Sequence, residues 1–192
     1  MRRHFIPGAI LVFLAWCGLA GPALAQNREK AWEINPYAGT MSFSQVDGEK
    51  VLDNTWDLGF RFGYHITKHH MVEFGFYGAS TNNPGLDLTV DLLGGQIDYV
   101  HNWFVQHRDK VVLFADAGIG VLNTSSFGFV NDPELVGDSV HSSYNFGGGI
   151  RLFGGRRAGF RIDLRRTSFS DNGNEIHFLE STIGMSIVLG GA

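Results

Sequence analysis

Past residue 26 the chain has no cysteine, no apolar run of transmembrane-helix length and few prolines, and only 18% of the full sequence is charged. Each shortage excludes something. The single cysteine, Cys17, lies inside the N-terminal segment, and with the bulky Trp16 before it the segment lacks the small residue that a lipid-attachment signal requires. No disulfide framework or cysteine-based metal site can form downstream. The longest apolar stretch, Ala9 to Ala20, is too short for a stop-transfer helix. Preceded by Arg2 and Arg3 and followed by Ala23-Leu24-Ala25, it reads as an export signal cleaved after Ala25, giving a signal peptide at 1–25 and one domain at 26–192. Basic residues are also in deficit. Losing Arg2 and Arg3 leaves 13 bases against 19 acids, a net charge of about −6, which argues against nucleic acid as a partner.

What the chain does have is glycine (26), aromatics (13%) and strict alternation. In "NTWDLGFRFGYHI" (54–66), Trp56, Leu58, Phe60, Phe62, Tyr64 and Ile66 interleave with Thr55, Asp57, Gly59, Arg61, Gly63 and His65. A period of two is the signature of a strand with unlike faces. Eight such segments follow one another, at about 32–43, 54–66, 70–79, 88–103, 111–122, 140–153, 157–168 and 176–189. Most span ten residues or more, whereas strands of soluble domains average about five or six and tilted bilayer-crossing strands need about nine to eleven. The connections alternate. Long ones fall at 44–53, 80–87, 123–139 and 169–175, and short ones at 67–70, 104–110 and 153–156. That spacing predicts an all-β, eight-stranded antiparallel up-and-down transmembrane β-barrel, with the short turns and both termini at one end.

Alternation alone does not say which face meets lipid; side-chain size does. The polar list holds Gly59, Gly63, Gly75, Gly94, Gly118, Gly120, Gly147, Gly149, Gly159 and Gly184, while the apolar list holds nearly all the large side chains. An eight-stranded barrel has little room inside. Small residues therefore belong in the lumen and large apolar ones against lipid. The reverse orientation would put Arg61, Arg151, Arg161 and Arg165 into hydrocarbon at about 2–4 kcal/mol each near the midplane. Turned inward, they meet Asp57, Glu73, Asp98, Asp116, Asp163 and Glu180, and these ten residues form the candidate lumenal polar network. Strand one is ambiguous, because Tyr37, Met41 and Phe43 compete with Trp32, Ile34 and Pro36 for the apolar face.

With these features, the chain resembles the small outer-membrane β-barrel family, the OmpA-like and OmpX-like eight-stranded domains of Gram-negative bacteria. The resemblance rests on the signal peptide, "INPYAGTMSF" (34–43), the "WDLGFRFGYHITKHHMVEFGFYG" hairpin (56–78), "GGQIDYVHNWF" (94–104) and "GGGIRLF" with "AGFRIDLRR" (147–166). It covers the whole mature chain. One departure is the ending "SIVLGGA", which lacks the family's typical C-terminal aromatic. The resemblance implies residence in the bacterial outer membrane, with lipids as surroundings and a structural or surface-interaction role through the long loops. Two alternatives are a narrow porin-like channel with a charged lumen and a soluble periplasmic lipocalin-like binder of a small apolar ligand.

Candidate chemical motifs are few. His65, His69, His70, His101 and His107 gather at the short-turn end, where polar turn residues explain them better than a metal site does. "HSSYN" (141–145) resembles the His-x-Ser arrangement of outer-membrane lipid A deacylases, but no glutamate follows at a useful distance, and an ordinary polar strand start is the better reading. Loop 123–139 carries Phe127, Phe129 and Val130 as loop-contact candidates for a surface partner, or as a lid over the barrel mouth. The expectation is no enzymatic activity, no cofactor, no metal and no catalytic residue. The sequence does not give the oligomeric state.

Overall fold

The computed structural model describes residues 29–46, 49–50, 52–83, 88–105, 110–127, 137–154, 157–171 and 174–191. Eight strands close into one antiparallel ring: β1 (Ala31–Phe43), β4 (Thr55–His65), β5 (His70–Asn83), β6 (Leu88–Val105), β7 (Val111–Phe127), β8 (Gly137–Phe153), β9 (Ala158–Asp171) and β10 (Asn174–Gly190). Each strand pairs with its sequence neighbour in the ring, and β10 closes on β1. The remaining two, β2 (Gln45–Val46) and β3 (Glu49–Lys50), form a small hairpin within the first long connection. Closure leaves the ring itself without an edge, which strands surrounded by lipid require.

Ala31 pairs with both Gly190 and His65, so the chain ends and the short connections share one rim. Stepping from partner to partner, Glu33 leads through Gly63, Glu73, Asp98, Gly118, Asn145, Thr167 and Phe178 to Phe43. The circuit returns to β1 ten residues further along. This stagger tilts the strands, and with eight of them it leaves an interior only as wide as the side chains that fill it.

At the long-loop end the strands run further than apolar alternation foretells. β5 continues to Asn83 and β7 to Phe127, and β8 starts at Gly137. The expected long loop 169–175 is mostly strand, since Asp171 pairs with Asn174. Alternation marks only the stretch between lipid and lumen. Beyond the bilayer both faces are polar, yet the ladder hydrogen bonds persist because backbone pairing does not depend on the contrast between faces.

The ambiguous first strand resolves toward its odd-numbered face. Glu33, Asn35, Tyr37, Met41 and Phe43 are buried, while Trp32 and Pro36 point outward. Around the outside runs a continuous apolar belt. Trp56 is 75% exposed, Ile119 71% and Leu58 69%, with Phe60, Phe76, Ile97, Phe146, Phe160 and Ile183 also exposed. A surface of that size and composition is incompatible with water but matches hydrocarbon.

The expectation that the interior holds small residues is right for the glycines and incomplete otherwise. Tyr37, Tyr77, Phe114, Met41, Met71 and Phe178 all lie inside. The reason is pairwise complementarity. Tyr37 lies across Gly59, where an added Cβ would sit 2.2 Å from the ring, and Tyr77 lies across Gly94 at 2.0 Å. Gly59 and Gly94 are therefore seats for large lumenal rings on adjacent strands, not open space.

Candidate functional site

The interior is layered. Toward the long-loop end Met41, Phe43, Tyr77, Leu122, Phe169 and Phe178 pack into one apolar cluster, with Leu52 of the first connection against it. At the opposite end Ala31, Val112, Phe153 and Val188 form a second, and Met71, Val100 and Phe114 a third. Between these lids sits the charge.

Arg161 is the hub. Its Nε and Nη2 donate to Asp163 at 2.9–3.2 Å, its Nη2 also donates to Glu73 Oε1 at 3.1 Å, and its Nη1 donates to Glu73 Oε2. Arg61 reaches the same aspartate across the lumen at 3.0 Å, donates to Asn35 Oδ1 at 3.2 Å and lies 3.5 Å from Glu180. Its guanidinium stacks 3.8 Å above the Tyr37 ring. Arg165 donates to Asp116 at 3.2 Å and lies 3.4 Å from Asp98 and 3.6 Å from Glu73. Gln96 donates to Asp98 at 2.9 Å.

Nearer the short-turn rim, Arg151 donates to Glu33 at 3.1 Å and to Asn102 Oδ1 at 2.6 Å, with Phe114 4.3 Å beneath it. Glu33 also meets His65 Nε2 at 2.9 Å and accepts from Ser186 at 2.6 Å. All four arginines are buried to 1% exposure or less. Charges removed from water this thoroughly require partners on most of their donors, and alternation puts the carboxylates on the same inward face to supply them.

The structure thus places Arg61, Glu73, Asp98, Asp116, Arg151, Arg161, Asp163, Arg165 and Glu180 in one linked lumenal set. Asp57 is inward and buried but stands apart: it reaches over Gly39 toward Glu180, and among the described residues no arginine meets it at ion-pair distance. Sequence reasoning missed Glu33, His65 and Asn102, which complete the lower tier. Glu33 was hidden because the parity of strand one could not be chosen. His65 was read as a turn residue, although its register beside Gly63 and Arg61 is inward.

Other candidates are not brought together. His70 and His101 face outward as a cross-strand pair with ring centroids 5.0 Å apart, and His69 lies 6.2 Å from His101. Among the described residues no group of three or more ligand side chains is arranged to hold a metal ion. His107, Phe129 and Val130 lie outside the described residues, as does the side chain of Phe127 at the end of β7. His141 faces inward, with Nε2 3.2 Å from Thr124 Oγ1 and Nδ1 3.1 Å from the Ser170 carbonyl, so both ring nitrogens engage groups other than Ser143.

A closed eight-stranded ring with a charged, lidded interior and an apolar exterior agrees with what sequence comparison finds. A family model described as the outer membrane protein beta-barrel domain matches residues 11–187. The chain belongs to this family. Its setting is the bacterial outer membrane, with acyl chains around the belt, short turns on the periplasmic side and long loops outside. No curated protein sequence matches the chain.

Solved structures agree on the fold of this outer-membrane barrel. Neisserial surface protein A is 14% identical with a TM-score of 0.61, covering 83% of this chain and 99% of that one. Ail, the attachment invasion locus protein of Yersinia pestis, solved with the heparin analogue sucrose octasulfate, is 14% identical with a TM-score of 0.55, covering 84% and 99%. The outer membrane enzyme PagL is 14% identical with a TM-score of 0.55, covering 79% and 97%. At such identities the likeness extends to the fold alone.

Proposed function

We propose that this outer-membrane barrel is a non-catalytic scaffold that presents its long loops to a surface partner. The observation that carries this reading is the closed interior: an ion-pair tier locked between apolar lids stiffens the tube and leaves the loops as the variable part. The same lids weigh against the channel reading, and the exposed belt weighs against a soluble binder. Against catalysis stands His141, whose ring nitrogens engage Thr124 and the Ser170 carbonyl. Residues 1–25 serve as the export signal, and N-terminal sequencing of the protein from outer membranes should begin at Gln26.

Loop charge narrows the partner. Segments 44–53, 80–87, 123–139 and 169–175 carry nine carboxylates and one lysine. Such a rim repels polyanions and attracts basic or apolar surfaces. Ail was solved with a heparin analogue, whereas the acidic loops of this chain should repel such a polyanion. The test is fluorescence anisotropy with the protein in lipid nanodiscs. A labelled oligolysine peptide should bind, and Asp132→Asn with Glu134→Gln and Asp138→Asn should weaken it. Tighter binding of heparin than of oligolysine overturns the assignment. Altered lipid A acylation in cells expressing the protein overturns the non-catalytic reading.

A further inference from the structure

The lipid-facing surface is not uniform. Where β1, β10 and β9 meet it is notched. Ala38, Thr40 and Ser181 floor a groove of about 200 Å³ walled by Trp56, Ile162 and Ile183. Outward residues on β9 run Ala158, Phe160, Ile162, Leu164, and then the apolar series stops at Arg166. Arg166 is exposed, and among the described residues no acceptor or aromatic ring meets it. The register ties the two features together. Leu164 pairs with Ser181 and Arg166 with Leu179, so along the β9–β10 ladder the cation comes two residues beyond Ser181 toward the long loops.

Its depth is informative. From Ala158 to Arg166 the strand climbs about 20 Å, taking about 3.3 Å per residue and a tilt of about 40°. The apolar band of such barrels is about 25 Å tall. Arg166 therefore lies at the junction of acyl chains and headgroups on the loop side, where a guanidinium is tolerated and an anion is within reach. The next outward rung is polar but self-satisfied, with Ser168 Oγ and His177 Nδ1 2.8 Å apart. Arg166 is thus open to an external partner.

We infer that this groove and Arg166 form a binding site for one phosphorylated glycolipid of the outer leaflet, of the lipid A type. One acyl chain lies in the notch over Ala38, Thr40 and Ser181, and a headgroup phosphate accepts hydrogen bonds from Arg166. The guanidinium fork matches phosphate oxygens two at a time and is weakly enough hydrated to pair at a membrane boundary. The loop-side position selects an outer-leaflet lipid, and the single charge selects its phosphate.

The test is lipid retention. The full-length protein is reconstituted into phosphatidylethanolamine vesicles containing a small fraction of phosphorylated lipid A, extracted in mild detergent, and its bound lipid quantified by mass spectrometry. Wild type should retain lipid A in preference to phosphatidylethanolamine. Arg166→Gln should lower that preference roughly tenfold, the loss expected for one charge-assisted hydrogen-bonding partner, with Arg166→Lys falling between. Ser181→Leu, which fills the notch with a side chain suited to lipid, should lower retention without altering headgroup preference. A heat-modifiable gel band verifies that each variant is folded. Undiminished preference in Arg166→Gln overturns the inference. So does equal retention of dephosphorylated lipid A by wild type, a result that needs no variant at all.

Discussion

Replacing Arg161 by methionine tests the lumenal network at its hub. The substitution keeps much of the side-chain length and removes five hydrogen bonds to two buried carboxylates, Glu73 and Asp163. Truncating one member of a buried ion pair costs about 3–5 kcal/mol, because the surviving charge stays desolvated without its partner. Here neither survivor is wholly abandoned. Asp163 keeps Arg61 at 3.0 Å, and Glu73 keeps Arg165 at 3.6 Å and Arg61 at 3.9 Å. The loss should therefore sit at the low end, about 3 kcal/mol. With a urea dependence of about 1–3 kcal/mol per molar, the unfolding midpoint in micelles should fall by about 1–3 M. The control is Arg161→Met combined with Glu73→Gln and Asp163→Asn. Neutralising the two acids, which Arg161→Met leaves with fewer cations, should recover part of the loss, since the penalty comes from under-compensated charge and not from missing volume. Tryptophan fluorescence and the gel shift between unheated and boiled samples report unfolding independently. An unchanged midpoint in the single variant, or a triple variant weaker than the single one, would refute the reasoning.

Phe160→Arg puts a charge on the belt and should cost about 2–4 kcal/mol at mid-depth, falling toward about 0–1 kcal/mol for Trp56→Arg near the outer boundary; equal costs for the two in vesicle unfolding would contradict the orientation. Gly59→Val drives a side chain into the Tyr37 ring and should destabilise by about 1–3 kcal/mol. Pairing it with Tyr37→Ala should give a double variant less damaged than the sum of its parts, and strict additivity in urea titrations would deny the contact. Asp57→Asn removes a lumenal carboxylate that faces Glu180 with no arginine among the described residues at ion-pair distance, and should stabilise by about 1 kcal/mol or more. A loss on the scale of Arg161→Met would show that Asp57 is paired within the network after all.

How much of this was legible in the sequence depends on which physical contrast each element carries. Strands β4 to β10 show at their centres because lipid and lumen demand opposite side chains on alternate residues, and Arg61, Arg151, Arg161 and Arg165 fix the orientation because an unpaired guanidinium in hydrocarbon is the costliest error the pattern could make. The contrast fades where one medium disappears. Beyond the outer boundary both faces are wet, so the ends of β5, β7 and β9 and the Asp171–Asn174 pairing looked like loop. In β1 the contrast is confused from the other side, since Tyr37, Met41 and Phe43 are large, apolar and lumenal. No one-strand argument resolves that, because the space for Tyr37 is made by Gly59 on β4 and the space for Tyr77 by Gly94 on β6. Interior volume is conserved between strands and not within one. Reading glycines as seats for their cross-strand neighbours would have assigned the parity of β1, and with it Glu33, which joins His65, Arg151 and Ser186 into the lower tier of the network.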